Sequence, residues 1–163
     1  MNCLCCGKSL RSENTHAGWH KSCIKRFFGT TELPEIAINE AAFEALAVES
    51  TNKGYTVPGV QKKLSLHLFS EGNTPRLTLV NYPTGYILKP QVPEFEALPQ
   101  AEHLVMCMAD AAGIFTVPHA LIMGKDGPAY ITKRVDRLFM KDKTQMLAME
   151  DFCQLDLRLT QDK

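Results

Sequence analysis

Five short stretches between residues 63 and 136 read as strands, and one helical stretch interrupts them. Leu64, Leu66 and Leu68 alternate with Lys63, Ser65 and His67, which predicts a half-buried strand. The cluster Glu71–Pro75 is rich in turn formers, and Arg76–Val80 alternates again, so the two stretches predict a hairpin. Tyr82–Gly85 turns the chain once more, and Tyr86–Pro90 gives a third strand with Lys89 near its end. Pro99 then stands where a proline fits the first turn of a helix. Leu98, Ala101, Leu104, Val105, Met108, Ala109 and Ala112 recur at helical spacing, with Glu102 beside that apolar stripe, and Gly113 ends the helix. Phe115–Met123 and Pro128–Asp136 are the last two strands, joined through Gly124, Asp126 and Gly127. The order β-β-β-α-β-β predicts an α+β fold: a five-stranded antiparallel sheet with one packed helix.

The N-terminal segment follows different rules. Cys3-x-x-Cys6 and His20-x-x-Cys23 form two short pairs, thirteen residues apart. Ligands two residues apart can grip one tetrahedral zinc from a tight turn, and a second pair closes the shell. Gly7 and Gly18 ease the bends. Such a zinc would be structural, with no position open for chemistry. His16 is the alternative to His20 at a worse spacing, and Cys5 is read as incidental. A short helix is expected over Lys21–Phe28, ended by Gly29, and a second over Glu40–Glu49, stopped by Asn52, Lys53 and Gly54.

Charge narrows the functional classes. Among 163 residues, 18 basic and 18 acidic side chains cancel, which argues against a general nucleic-acid or membrane-surface binder. Lys21, Lys25 and Arg26 make only a small basic cluster, read as a solvated face. No apolar run approaches the ~20 residues of a membrane span. The start, Met1–Lys8, has no apolar signal core, so the chain reads as cytoplasmic. In that compartment cysteines serve as metal ligands or buried thiols more often than as disulfides, and Cys107 and Cys153 are read as buried small apolar residues.

The order of elements is that of a protein-kinase N-lobe, and that resemblance makes chemical demands. A kinase needs a phosphate-holding turn by the first strands, a lysine on the third strand, and a carboxylate on the helix to hold the lysine. Lys89 and Glu102 stand at the last two positions. The turn is "YTVPGVQKKLSL", Tyr55–Leu66, where Gly59 would let backbone N–H groups approach phosphate oxygens. Taken singly, Lys89 and Glu102 read as solvated; their joint placement carries the kinase comparison.

"VPGVQKKLSL", "YILKP", "AEHLVMCMADAAGI", "YITKRVDR" and "MEDFCQ" together resemble HipA-like serine/threonine kinases, the toxins of bacterial toxin–antitoxin modules, over about residues 27–161. The chain is most similar to the short HipT-type toxin of the tripartite version. The resemblance implies an ATP-binding lobe in which Thr56, Gly59 and Gln61 occupy the hydroxyl-x-x-Gly-x-Gln phosphate loop. The family commonly has serine where Thr56 stands, and Pro58 replaces a second serine of the short toxin. Thr56 is therefore the implied autophosphorylation site. Lys89 and Glu102 match the ATP-holding pair, and the backbone near Lys133 and Val135 would meet adenine. Asp136 and Arg137 match an architectural pair after the lobe-linking segment. The resemblance further implies ATP and Mg²⁺ as ligands, a protein substrate such as an aminoacyl-tRNA synthetase, and antitoxin partners of the HipB and HipS type.

No catalytic residue is assigned. Phosphoryl transfer needs an aspartate to take the hydroxyl proton and an asparagine and aspartate to hold Mg²⁺. The last asparagine of the chain is Asn81, so no Asp-x-x-x-x-Asn pair follows Asp136. The expectation is a truncated kinase: residues 1–30 a Cys/His knuckle, 31–54 a linker and helix, 55–137 the N-lobe, and 138–163 the start of a C-lobe. The rival expectation is a non-catalytic module that binds an antitoxin or another protein.

Overall fold

The computed structural model describes residues 1–11, 16–36, 63–70, 74–78, 85–124, 127–140, 144–150 and 152–156. Its elements are α1 (Lys21–Phe28), β1 (Glu35–Ile36), β2 (Leu64–Phe69), β3 (Arg76–Thr78), β4 (Tyr86–Lys89), α2 (Leu98–Ala111), β5 (His119–Gly124), β6 (Gly127–Lys133), β7 (Arg137–Phe139), β8 (Thr144–Met146) and one helical turn, α3 (Phe152–Leu155). The fold is mixed α+β. Six strands form one sheet in the order β1-β3-β2-β4-β6-β5, and β7 and β8 pair as a separate ribbon. The expected helix over Glu40–Glu49 and the loop carrying Thr56, Gly59 and Gln61 lie outside the described residues.

The five expected strands are present as β2 to β6, but the sheet has a sixth, and it is not wholly antiparallel. β1 runs parallel to β3, with Glu35 opposite Arg76, and its first N–H donates to the Pro75 carbonyl at 3.0 Å. Two residues after a proline are too short to show a period, so β1 has no signal of its own in the sequence. β5 also starts later than its apolar run suggests. Phe115 is 96% exposed, and Pro118, which has no N–H to give a ladder, instead accepts hydrogen bonds from Lys133 N and Thr132 Oγ1.

Register decides what each face of the sheet carries. Leu64 opposes Leu88, Leu66 opposes Tyr86, and Leu88 and Ala120 both oppose Ile131. Cross-strand partners share a face, so these residues form one apolar surface. It is covered by Trp19 and by Ile24, Phe27 and Phe28 of α1, all buried in the same core. Phe28 lies 5.4 Å from the Tyr86 ring, and the Tyr86 hydroxyl donates to the Phe27 carbonyl at 3.3 Å. An eight-residue helix is too short to persist alone, and each large apolar side chain it buries contributes about 1.5–3 kcal/mol. Lys25 and Arg26 in its last turn suit the helix dipole. Gly29 ends it at φ 78°, its N–H donating to Lys25 O at 2.9 Å.

The segment before α1 folds back on itself and docks on the sheet's edge. Leu4 N–H donates to Gly18 O at 2.9 Å, and Leu4 O accepts from Leu121 N–H of β5 at 2.8 Å. Gly18 sits at φ 85°, a backbone conformation that favours glycine, and a Cβ there would come within 2.9 Å of Leu4 Cδ1, so the leucine side chain would also have to move.

The opposite face of the sheet carries Lys89, Tyr130, Thr132 and His119, again by register, and α2 lies against it. Pro99 sits in the first turn of α2, as its sequence suggests. The apolar stripe is not the face that meets the sheet. Leu104, Val105 and Met108 are 60–62% exposed, while Glu102, His103 and Cys107 are half-buried. The polar residues face inward because the sheet offers them partners. No helix among the described residues is long and apolar enough to cross a membrane.

Candidate functional site

Lys89 ends β4, and the ladder sets it opposite Tyr130 on the face beneath α2. Glu102 lies in the first turns of α2 and points at the same spot. Lys89 Nζ donates to Glu102 Oε1, both side chains about one quarter exposed. The ammonium also lies 5.5 Å from the centre of the Tyr130 ring. The result is one cation, held from a strand by a helix carboxylate, with part of its surface still open to solvent. That arrangement can present a positive charge to an anion. Thr56, Gly59 and Gln61 lie outside the described residues, so the structure brings together two of the expected site residues.

Lys133 and Val135 lie at the other end of the sheet, about 10 Å away by strand rise, since Tyr86 opposes Lys133 where Lys89 opposes Tyr130. Val135 is 51% exposed. The Lys133 N–H is committed to Pro118 O at 3.0 Å, and its ammonium lies 5.7 Å from the Phe27 ring. Burial holds the Lys133 amine below its usual range. A hollow of about 390 Å³ opens here, lined by His67, Tyr86, Lys133 and Arg137 among others, and neither Lys89 nor Glu102 reaches it.

Beneath this end lies a buried ionic knot. Asp136 accepts from Arg134 Nε at 2.8 Å and Nη2 at 2.6 Å, and also from Arg137 Nη1. Arg134 Nη1 donates onward to Ser65 Oγ at 3.0 Å, tying the segment after β6 to β2. Burial alone would raise the Asp136 carboxyl; the Arg134 hydrogen bonds and charge, with Arg137 behind them, outweigh it and hold the group below the usual carboxylate range. These contacts hold chain segments together, as expected of an architectural pair.

The N-terminal cysteines converge. One donor atom each from Cys3, Cys6, His20 and Cys23 lies within 4.8 Å of the others. His20 Nδ1 is 3.5 Å from Cys6 Sγ and 3.8 Å from Cys23 Sγ. His20 Nε2–H donates to the Ser9 carbonyl at 3.2 Å, which fixes the tautomer and leaves the Nδ1 lone pair facing the sulfurs. Burial pushes the Cys3 thiol up, yet hydrogen bonds from the Cys6, Cys5 and His20 backbones bring it down to about 7. Three sulfurs and one imidazole, the ring held from behind by the Ser9 carbonyl, fit the donor set and spacing of tetrahedral zinc. Neither His16 nor Cys5 belongs to the group.

A second cluster went unread in the sequence. His103 and Cys107 of α2 and His119 of β5 also place donor atoms within 4.8 Å of one another. Cys107 is half-buried with its sulfur 3.7 Å from His103 Nε2, so it is not simply a small apolar residue. The one available signal was the i, i+4 spacing of His103 and Cys107; nothing local ties them to His119. The Cys153 side chain lies outside the described residues.

These features define a mixed α+β protein with a strand-borne lysine clasped by a helix glutamate and a four-donor Cys/His cluster. The family model for the HipA-like C-terminal domain matches residues 55–163, and the chain belongs to the HipA-like family. No curated protein matches it.

Proposed function

We propose that this chain provides the nucleotide-holding lobe of a HipA-like serine/threonine kinase toxin, with ATP and Mg²⁺ as ligands of the complete kinase. The observation that carries it is the Lys89–Glu102 pair, formed between the third strand of a β-β-β-α-β-β run and its helix. Kinases use a strand lysine held by a helix glutamate to grip nucleotide phosphates. Membership of the HipA-like family supports the same assignment.

In this scheme the lobe spans residues 55–137, and the family match likewise begins at Tyr55. Residues 138–163 open a second lobe, 31–54 link, and 1–30 form a knuckle held by structural zinc at Cys3, Cys6, His20 and Cys23. Thr56, Gly59 and Gln61 cradle the phosphates, and adenine meets the backbone at Val135 beside Lys133. Phosphorylation of Thr56 adds close to two negative charges to the phosphate site and blocks nucleotide. In kinases the groups that accept the hydroxyl proton and hold Mg²⁺ belong to the second lobe, so phosphoryl transfer is a property of the complete kinase. Its setting is cytoplasmic, its partners are antitoxins of the HipB and HipS type, and the complete kinase modifies a protein such as an aminoacyl-tRNA synthetase.

Calorimetric titration with Mg-ATP tests this. The expected result is micromolar binding that Lys89→Ala weakens at least tenfold, about 1.4 kcal/mol, with a smaller loss for Glu102→Ala. Absence of binding, or equal binding by Lys89→Ala, sinks the assignment. One observation favours the alternative of a non-catalytic interaction module: Leu104, Val105 and Met108 leave an apolar face of α2 uncovered. That alternative gains if the chain ignores ATP yet captures an antitoxin.

A further inference from the structure

We propose that His103, Cys107 and His119 form a second metal site, which takes a zinc-class divalent ion and bolts α2 to β5. It does not depend on the nucleotide assignment or on the N-terminal cluster.

The geometry is specific. His119 is 8% exposed, a buried polar side chain reaching up from the sheet. Its Nε2–H donates to Asp110 Oδ2 at 3.3 Å, since a carboxylate can only accept from it. Asp110 is steadied in turn by the Thr116 hydroxyl, which donates to its other oxygen. The neutral His119 ring therefore keeps its lone pair on Nδ1, and that atom faces His103 Nδ1 at 3.1 Å. A carboxylate holding the far nitrogen of an imidazole is the support that metal-bound histidines commonly have. In a tetrahedral zinc site with Zn–N of about 2.0–2.1 Å, two nitrogens stand ~3.3 Å apart, close to the separation found here.

Cys107 supplies the third donor from one helical turn beyond His103, so α2 presents both on one face. One donor atom from each of the three residues lies within 4.8 Å of the rest. The sulfur faces His103 Nε2 while His103 Nδ1 faces His119, and one ring gives one ion a single nitrogen, so binding requires the Cys107 side chain or the His103 ring to turn toward the shared position. A thiolate and two imidazoles suit zinc better than hard cations such as Mg²⁺ or Ca²⁺. Three protein donors leave a fourth position for water or an outside ligand.

The site also adjoins the lysine clasp. The His119 ring stacks on Tyr130 at 6.3 Å and 18°, and Lys89 lies over that same Tyr130 ring. His103 follows Glu102 in the chain. An ion here would fix the turn of α2 that carries Glu102.

The test is zinc content of the purified full chain, loaded with zinc and freed of excess by gel filtration. Cys107→Ala is expected to carry one equivalent less than wild type, whatever the N-terminal cluster holds, with unchanged far-UV circular dichroism. Equal zinc content in the two overturns the site. Should the variant misfold, alkylation of the wild-type chain decides, read by mass spectrometry of the Cys107 peptide. Protection of Cys107 that a chelator abolishes supports the site. Equal labelling with and without chelator leaves only a hydrogen-bonded thiol–imidazole chain, and the proposal fails.

Discussion

Replacing Asp136 with alanine is expected to lower the unfolding free energy by about 3–5 kcal/mol, because it strands two buried guanidinium groups. Arg134 is 2% exposed and Arg137 8%, and both donate to this carboxylate. Arg134 would keep its bond to Ser65 Oγ but lose the two bonds that fix its plane. Asp136→Asn should fall between wild type and alanine, since an amide keeps one acceptor oxygen and drops the charge. The pH dependence has a definite sign. The folded-state pKa lies below the unfolded value, so the stabilisation is fully present above the unfolded value, about 3.9, and is lost as pH falls through the folded one. Urea midpoints at pH 7, 5 and 3 check both points. Wild type should lose stability in acid, and Asp136→Asn should lose less. A shift under about 1 kcal/mol at pH 7 for the alanine variant would show that the knot is not a main tie.

Much of this architecture is legible in the sequence because local rules govern it. Leu64, Leu66 and Leu68 alternate, and two of the three end up in the core. Pro99, Gly29 and Gly113 mark helix ends where their backbone preferences place them. Strand and helix boundaries are local facts, so short-range patterns report them.

What escaped the sequence depends on partners distant in the chain. The apolar stripe of α2 gives the right helix and no guide to its orientation. Leu104 and Met108 face outward because Glu102 has Lys89 to meet and His103 has His119, and those pairings exist only once β4 and β5 are side by side. The Arg134–Ser65 contact spans 69 residues, and the approach of Trp19 and Phe27 to Tyr86 unites the N-terminal segment with the sheet. A pattern confined to one element cannot say which of its faces will be covered. The four-donor cluster was the exception, since its two pairs are short enough to show in spacing alone.

With zinc in that cluster, as proposed above, its removal is the other change with a large expected effect. A structural zinc contributes its binding energy to folding, about 10–16 kcal/mol in isolated zinc-finger peptides. Here the segment also shares a core with the sheet, so a loss of several kcal/mol, rather than complete unfolding, is expected. Trp19 is the natural probe: it is the single tryptophan of the chain, fully buried, and next in sequence to His20. Chelation should shift its emission to the red as Trp19 leaves Phe27 and Phe28, and zinc should restore it. Cys23→Ser should show the red-shifted emission without chelator, because Cys23 is both a donor and a buried member of α1. Cys5→Ser should leave emission and its response to chelator unchanged, since Cys5 stands outside the donor group. Cys107→Ala should behave like Cys5→Ser in this assay, which separates the two proposed metal sites by a signal that only the first can move. Emission indifferent to chelator in the wild-type chain would mean that the aromatic core, with Trp19 against Phe27 and Phe28, holds the segment without a metal.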